Sequence, residues 1–231
     1  MPYISIKDLA FKYGSETVLT HISFDIHPGD FVILTGENGA AKSTLLRNIL
    51  GLLKPTNGHV TISKLNNQQQ PLTIGYVPQQ VASFNVGFPS TVYELVQSGR
   101  YQNGRWFKRL NQEDKEHIKS ALLAVGMWDM RHKKIGDLSG GQKQRISIAR
   151  TFVTDADVYI LDEPTTGMDK ASREAFYQLL KHSCTHHAKA VLMVTHDYND
   201  LQQYATRHVA LTRKEGTPWR CFSMDSCKEL S

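Results

Sequence analysis

The sequence predicts an α/β fold in which a largely parallel sheet is covered by helices on both faces and interrupted by a helical insertion. Three observations lead to this fold class. Short apolar runs typical of buried strands alternate with helical patterns over most of the 231 residues. A turn rich in glycine and alanine joins the apolar run 31–34 to a helical pattern that includes Leu45. Between residues 80 and 136 the alternation stops, with breaks at Gly87 and Pro89 followed by two helical patterns.

Each predicted element follows from its local pattern. Alternation predicts strand from Tyr3 to Tyr13, and further strand pieces at 18–19 and 22–26, ended by a turn at 27–30. The later elements are predicted, in order, as a helix ending near Gly51, strands at 59–62 and 74–77, helices at 90–96, 111–125 and 141–153, a strand at 157–161, a helix at 170–187, a strand at 190–195, a helix at 197–204 and a strand near 209–211.

We therefore expect one domain over residues 1–231. Its predicted parts are a core of 1–79 and 137–212, an inserted helical subdomain of 80–136, and a short tail of 213–231.

The composition is that of a soluble globular protein, with 40% hydrophobic and 21% charged residues. No apolar run approaches the length of a membrane span, and the N-terminus lacks a secretory pattern. The three cysteines are few and odd in number, which favours reduced thiols in a cytoplasmic protein. A net charge of +5 permits contact with nucleic acid or anionic lipid but does not require it.

The turn at 36–44 has the composition of a phosphate-binding loop. It lies between a strand and a helix, so its backbone N–H groups would point at one spot before the helix N-terminus, where negative charge is favoured. Lys42 can reach the β- and γ-phosphates, and the Ser43 hydroxyl can ligate Mg²⁺. The alternative is a turn that binds no ligand. Ala41 stands where the strict pattern has glycine, and we expect a negative φ there, because a positive φ would cost about 1–2 kcal/mol.

Two carboxylates follow the apolar strand that ends at Leu161. Asp162 can hold Mg²⁺ through its water shell, and Glu163 can accept a proton from an attacking water. The end of a parallel strand is where open α/β sheets bind ligands. The alternative is an acidic turn that only ends the strand.

A second glycine-rich helix start occurs at 138–142. Ser139 and Gln142 have the spacing of a capping box, and apolar residues follow at helical spacing. This helix N-terminus could also hold an anion. The alternative is that Gly140 and Gly141 only provide a turn before a capped helix.

These motifs together resemble the ATP-binding-cassette (ABC) ATPases. Leu138–Gln142 is similar to the family's signature motif, Tyr13 to the aromatic that stacks on adenine, Gln79 to the glutamine that contacts Mg²⁺ and the attacking water, Asp169 to the loop that crosses the dimer interface, and His196 to the switch histidine that contacts the γ-phosphate. The resemblance spans residues 1–212 and implies a P-loop ABC ATPase core with a parallel sheet, an N-terminal antiparallel β part and the inserted helices.

The resemblance also implies a mechanism. Two copies would pack head to tail, each ATP lying between the phosphate loop of one and the signature helix of the other. Glu163 would act as catalytic base, with His196 and Gln79 organising the γ-phosphate and water. Mg²⁺ would be held by Ser43, Gln79 and Asp162. The residues expected to bind nucleotide are Tyr13, Gly36, Asn38, Gly39, Ala40, Ala41, Lys42, Ser43, Thr44, Ser139, Gly140, Gly141, Gln142 and Asp169.

A separate single-domain chain of this kind resembles the energising subunits of importers. The stretch 83–100 resembles the ATPases of zinc and manganese importers, and the tail around Trp219 is most similar to the zinc branch. The implied partners are a second copy, a multispan membrane permease and, indirectly, an extracytoplasmic metal-binding protein, at the cytoplasmic face of the plasma membrane. Alternatives are a manganese or iron importer of the same family, or a soluble ABC ATPase acting on nucleic acid or ribosomes. No nucleic-acid partner is expected, because those ATPases usually carry two cassettes or long insertions.

Two segments invite other interpretations. His182 and His186 lie one helical turn apart, a spacing that metal ligands use, although a solvated helix face is the simpler interpretation. The basic, aromatic loop 100–109 could bind nucleic acid, but it also suits a surface that faces lipid headgroups or a partner subunit.

Overall fold

The computed structural model describes residues 1–79, 89–101, 110–196, 198–213 and 217–225, with the backbone alone for 221–225. The strands are β1 (Ile4–Tyr13), β2 (Glu16–Ile26), β3 (Phe31–Gly36), β4 (Asn57–Ile62), β5 (Ile74–Val77), β6 (Val158–Asp162), β7 (Ala190–Val194), β8 (Arg207–Thr212) and β9 (Arg220–Asp225). The α-helices are α1 (Lys42–Ile49), α2 (Val92–Ser98), α3 (Gln112–Ala124), α4 (Gly140–Phe152), α5 (Lys170–His187) and α6 (Tyr198–Leu201).

The main sheet has the strand order β5-β6-β7-β3-β8-β9. Its first five strands are parallel, and β9 pairs antiparallel with β8 at the edge. A second sheet, β2-β1-β4, is antiparallel throughout. The predicted α/β class is therefore confirmed, and β3, β5, β6 and β7 end along one edge of the main sheet.

Two apolar clusters sandwich the main sheet, as a parallel sheet buried on both faces requires. One cluster joins β1, β2 and α1 to one face of the sheet. The other joins helices α2 to α5 to the opposite face, so the predicted insertion shares its core with the sheet. Every residue of β6 and β7 is buried, and each fully buried Leu or Ile contributes about 1.5–3 kcal/mol.

Polar contacts also fasten the helical segment to the core. Arg100 donates from Nε to Asp114 Oδ1 at 2.7 Å and from a terminal nitrogen to the Val153 carbonyl at 2.9 Å. Asp114 accepts the backbone N–H of Asn111 at 3.1 Å as part of the α3 capping box. This buried ion pair therefore connects the N-terminus of α3 to the end of α4. Whether 80–136 is a separate subdomain stays a prediction.

One strand prediction was wrong, and one strand was not predicted. The pieces predicted at 18–19 and 22–26 form one continuous strand, β2, because the polar interruption is a bulge. His21 (φ 50°) lies there opposite Asp8 (φ 44°), and its Nδ1 is 2.8 Å from Asp8 Oδ1. The predicted tail contains β9, which pairs with β8. In the described part of the chain, no helix is both long and apolar enough to cross a membrane.

Candidate nucleotide-binding site

The turn between β3 and α1 holds a buried lysine at its centre. Lys42 is 7% exposed and donates from Nζ to the carbonyl oxygens of Gly36 at 2.8 Å and Glu37 at 3.0 Å. Burial lowers the pKa of Lys42, and the nearby charges of Glu163 and Asp162 partly offset this. The turn therefore curls around an ammonium group that lies close to two carboxylates.

Ala41 has a left-handed backbone, so the expected negative φ was wrong. It lies at φ 59°, ψ 23° as the N-cap of α1, and no side-chain hydrogen bond caps this helix. The tight turn needs the left-handed region here, which an L-residue enters at a cost of about 1–2 kcal/mol. Strain of this kind persists where the surrounding structure enforces it, and it often accompanies a ligand site.

Asp162 lies at the end of β6, directly beside the start of α1. It is 3% exposed, and its Oδ2 accepts a hydrogen bond from Ser43 Oγ at 3.0 Å. Burial raises the pKa of Asp162 most, the Ser43 hydrogen bond opposes the rise, and the neighbouring charge of Glu163 adds to it. A buried carboxylate beside a hydroxyl and a second carboxylate is a set of oxygen donors that suits Mg²⁺.

Glu163 is the centre of a three-residue cluster. Its Oε2 accepts a hydrogen bond from Gln79 Nε2 at 2.8 Å, and its Oε1 lies 2.6 Å from His196 Nε2. Glu163 has a positive φ of 47°, and its N–H bonds the Val194 carbonyl at 3.0 Å, so the chain turns sharply where β6 ends. The loops after β5, β6 and β7 thus bring together three residues that are 84 and 33 positions apart in sequence.

Sequence reasoning missed one residue of this region. Gln144, in the second turn of α4, is 7% exposed and donates from Nε2 to the Pro78 carbonyl at 3.2 Å. Pro78 immediately precedes Gln79, so this bond connects the loop that carries Gln79 to α4, whose first turn, Ser139–Gln142, we call the signature turn. No local pattern marks Gln144, because its partner lies 66 residues away.

The signature turn satisfies its own hydrogen bonds. Ser139 Oγ accepts the N–H of Gln142 at 3.3 Å, and Gln142 Oε1 accepts the N–H of Ser139 at 2.9 Å, which confirms the predicted capping box. Gly140 and Gly141 begin α4, and an added Cβ at Gly140 would meet no atom within 4 Å. The turn is open to the outside but needs no ligand to complete it.

Asp169 and Tyr13 occupy separate positions. Asp169 caps α5 by accepting from Ser172, whose N–H and hydroxyl lower the pKa of Asp169, and it lies 4.0 Å from Arg145 of α4. Tyr13 lies at the end of β1, is 46% exposed and contacts Phe11 edge to face. Its exposed ring leaves room for a stacking partner.

The sequence-predicted residues therefore form two groups. In the first group, the charge of Lys42 interacts with the carboxylates of Asp162 and Glu163, and Ser43 donates to Asp162. Glu163 also contacts Gln79 and His196. The side chains of Ser139 and Gln142 instead each accept the other residue's backbone N–H, and Gln142 Nε2 donates to Met130 Sδ. Asn38, Gly39, Ala40 and Thr44 lie in the phosphate loop or the first turn of α1.

The two segments with other interpretations add no site. The rings of His182 and His186 stack with centroids 4.4 Å apart, and among the described residues no three His, Cys, Asp or Glu side chains form a metal-binding group. Most of the basic loop 100–109 lies outside the described residues.

Comparison with known proteins identifies relatives over the full length. The sequence profile of the ABC transporter family matches residues 19–166. The zinc transport system ATP-binding protein AdcC of Streptococcus pneumoniae is 58% identical over 224 residues, covering 97% of this chain and 96% of that protein. The high-affinity zinc uptake system ATP-binding protein ZnuC of Bacillus subtilis is 54% identical over 230 residues, covering 100% of both. A dimeric ATP-binding cassette solved in a post-hydrolysis state with ADP and phosphate has a TM-score of 0.72 at 28% identity, covering 95% of this chain and 98% of that one.

Proposed function

The chain belongs to the ABC transporter family of ATP-hydrolysing proteins, and from this premise we propose that it energises the import of zinc ions through separate membrane subunits. The observation that carries the proposal is the Glu163 cluster beside the Ser43–Asp162 pair. These contacts put a candidate base, a candidate metal site and a buried lysine at one edge of the sheet. Hydrolysis of a γ-phosphate needs all three.

The phosphate loop would bind the nucleotide from within one copy of the chain. Lys42 can exchange its bonds to the Gly36 and Glu37 carbonyls for bonds to phosphate oxygens. Ser43 and Asp162, with Gln79, would hold Mg²⁺, which supplies positive charge that stabilises the transferring phosphoryl group. The raised pKa of Asp162 supports this role, because a cation would compensate the buried charge.

Glu163 would act as the base, and its present contacts restrain it. Both of its oxygens are engaged, one by Gln79 and one by His196. A phosphate that drew His196 toward itself would free one oxygen to accept a proton from water. Gln79 would then orient both the base and the water.

A second copy would complete the site. Among the described residues, no hydrogen bond or ion pair joins the signature turn, Ser139–Gln142, to the phosphate loop, and Asp169 lies exposed at the N-terminus of α5. We propose that these groups meet the nucleotide bound by the other copy. A membrane permease, and through it an extracytoplasmic metal-binding protein, would be the further partners, and the chain would then lie at the cytoplasmic face of the membrane.

The cargo is proposed as zinc because of the relatives' names. AdcC and ZnuC, at 58% and 54% identity, are named for zinc, whereas the Bacillus subtilis manganese transport protein MntB is 37% identical over 201 residues. The import of manganese by the same machinery is therefore the second candidate. The cargo never needs to contact this subunit.

Replacement of Glu163 tests the enzymatic part. The Glu163→Gln variant should lose about 10²–10⁴-fold in ATP hydrolysis, because a general base contributes that much. It should still bind ATP, and size-exclusion chromatography with MgATP should show a trapped dimer. The matched control is Glu174→Gln, an exposed glutamate of α5. Hydrolysis at the wild-type rate in Glu163→Gln would refute the assignment of the base.

Uptake measurements test the cargo. Cells that lack the chain should regain zinc uptake with the wild-type gene and not with Glu163→Gln, while manganese uptake stays unchanged. Rescue of manganese uptake alone would favour the second candidate.

A further inference from the structure

A cavity of about 500 Å³ lies between the phosphate loop and the C-terminal tail. It is lined by Gly39 of the loop, by Glu16, Thr17 and Val18 of β2, and by Arg213, Thr217, Pro218 and Trp219 of the tail. At Gly39 an added Cβ would meet no atom within 4 Å, so the loop is open on this side. The cavity therefore adjoins the proposed nucleotide site.

The position of the cavity corresponds to the nucleoside end of that site. Glu16 is the register partner of Tyr13 across the turn between β1 and β2, and Tyr13 is the exposed aromatic proposed to stack on the base. Gly39, at the other wall, belongs to the turn that would hold the phosphates. A nucleotide that extends from the phosphate loop to Tyr13 would pass this cavity with its ribose and α-phosphate.

The tail wall is fixed to β2 by backbone hydrogen bonds. The Trp219 N–H bonds the Val18 carbonyl at 3.0 Å, and the Thr20 N–H bonds the Trp219 carbonyl at 3.0 Å. Trp219 is only 4% exposed and belongs to the core cluster that contains β1, β2 and α1. The indole is thus a rigid part of the fold.

Arg213 lies on that indole. Its guanidinium carbon is 4.5 Å from the centroid of the Trp219 ring, and the side chain is exposed to solvent. Stacking uses the face of the guanidinium and leaves its in-plane N–H groups free to donate. Ribose hydroxyls and phosphate oxygens are acceptors, so they suit a group that only donates.

We propose that Arg213, oriented by Trp219, binds the ribose of the nucleotide and raises its affinity. This inference rests on the proposed function and adds to it a residue outside the region 19–166 that the family profile matches. The tail of this chain would provide this contact, and the phosphate loop would bind the rest of the nucleotide.

Three probes distinguish this contact from a general charge effect. ATP and ADP share the nucleoside and α-phosphate, whereas inorganic tripolyphosphate has no nucleoside. The Arg213→Ala variant should raise the Kd of ATP and ADP alike by about three- to tenfold, the loss of one partly exposed charge-assisted hydrogen bond. The Kd of tripolyphosphate should change less than about twofold, and kcat at saturating ATP should be unchanged.

Arg220→Ala is the matched control, since Arg220 is an exposed arginine of the same tail that does not line the cavity. Trp219→Phe keeps a buried ring but a smaller stacking surface, so it should weaken ATP binding by less than Arg213→Ala. Equal ATP affinity in Arg213→Ala and Arg220→Ala, with normal binding by the wild type, would overturn the inference alone. Equal weakening of tripolyphosphate would also overturn it, by showing a long-range charge effect. Absence of ATP binding by the wild type would instead refute the proposed function.

Discussion

The helices α1 and α4 both begin at glycine-containing turns, and these two helix starts are built in opposite ways. The N-cap of α1 is Ala41, in a left-handed conformation and without a side-chain cap. The N-cap of α4 is Ser139, in an extended conformation and with a complete capping box. One helix N-terminus therefore leaves its backbone N–H groups without side-chain partners, and the other satisfies part of its own.

The contrast accounts for the division of work in the proposed site. An uncapped, strained helix start gains most from an anion, because the phosphates can bond the N–H groups that the side chains leave open. A capped helix start is stable without a ligand, so it can remain exposed until a nucleotide bound by another copy reaches it. In the proposed site, the N-terminus of α1 would therefore hold the nucleotide, and the N-terminus of α4 would complete the site of another copy.

Removal of Lys42 should have the largest effect and would test the holding role of α1. Lys42→Ala should weaken ATP binding by about 100-fold, because a buried charge-assisted interaction of 1.5–3 kcal/mol and its Coulomb attraction are both lost. Titration with a fluorescent ATP analogue measures this. Arg47→Ala, one turn later in α1, is the control. If the ATP affinity of Lys42→Ala stayed within threefold of the wild type, the proposal that the α1 start holds the nucleotide would be wrong.

Removal of the Ser139 cap should separate binding from hydrolysis. Ser139→Ala should leave ATP affinity of the dilute monomer within about twofold while lowering hydrolysis by tenfold or more, since one interaction with the charged phosphate is lost across the dimer. Unfolding stability should also fall by about 1 kcal/mol from loss of the cap. Ser147→Ala, within the same helix, is the control. Loss of monomer affinity as large as that of Lys42→Ala would show that α4 also holds the ligand within one chain.

The buried charge of Asp162, beside the start of α1, should destabilise the fold when no cation is bound. Because burial raises the pKa of Asp162, its protonated form favours the fold at low pH, and that stability is lost as pH rises from about 3.8 through the raised pKa. Asp162→Asn should therefore unfold at a higher temperature than the wild type at pH 7 without Mg²⁺, by a few degrees for about 1 kcal/mol. The difference should shrink toward pH 4. MgATP should stabilise the wild type but not the variant.

Thermal unfolding followed by circular dichroism between pH 4 and pH 8 measures this difference. Asp129→Asn, at an exposed position, is the control. A variant less stable than the wild type at pH 7 would contradict an uncompensated charge at Asp162.

The positions of both helix starts and the capping box of α4 could be predicted from the sequence, because they depend on neighbouring residues. A strand-turn-helix pattern located α1, and a glycine-rich turn followed by apolar residues at helical spacing located α4. The Ser139–Gln142 spacing alone predicted the capping box. Placement of Asp162 and Glu163 at a strand end followed from the apolar run before them.

Features that depend on distant partners could not be predicted in this way. Strand β9 forms by pairing with the open edge of β8, and the mixed polar and apolar residues of the tail do not predict a strand. Gln144 pairs with a carbonyl 66 residues away, and the wall formed by Arg213 and Trp219 depends on hydrogen bonds to β2. The sign of φ at Ala41 likewise depends on the turn as a whole.

The strain at Ala41 gives the smallest and most local test of the contrast. Ala41→Gly removes about 1–2 kcal/mol of left-handed strain, but the larger entropy of the unfolded chain costs about 0.4–1 kcal/mol, so the net change should be a stabilisation of about 0–1.6 kcal/mol. Chemical denaturation measures it. Ala40→Gly is the matched control, because Ala40 is 1% exposed and absent from the residues with positive φ, so the loss of its methyl group should destabilise the protein. Destabilisation of equal size by both changes would mean that Ala41 is not strained, and that the open start of α1 owes its form to the missing cap alone.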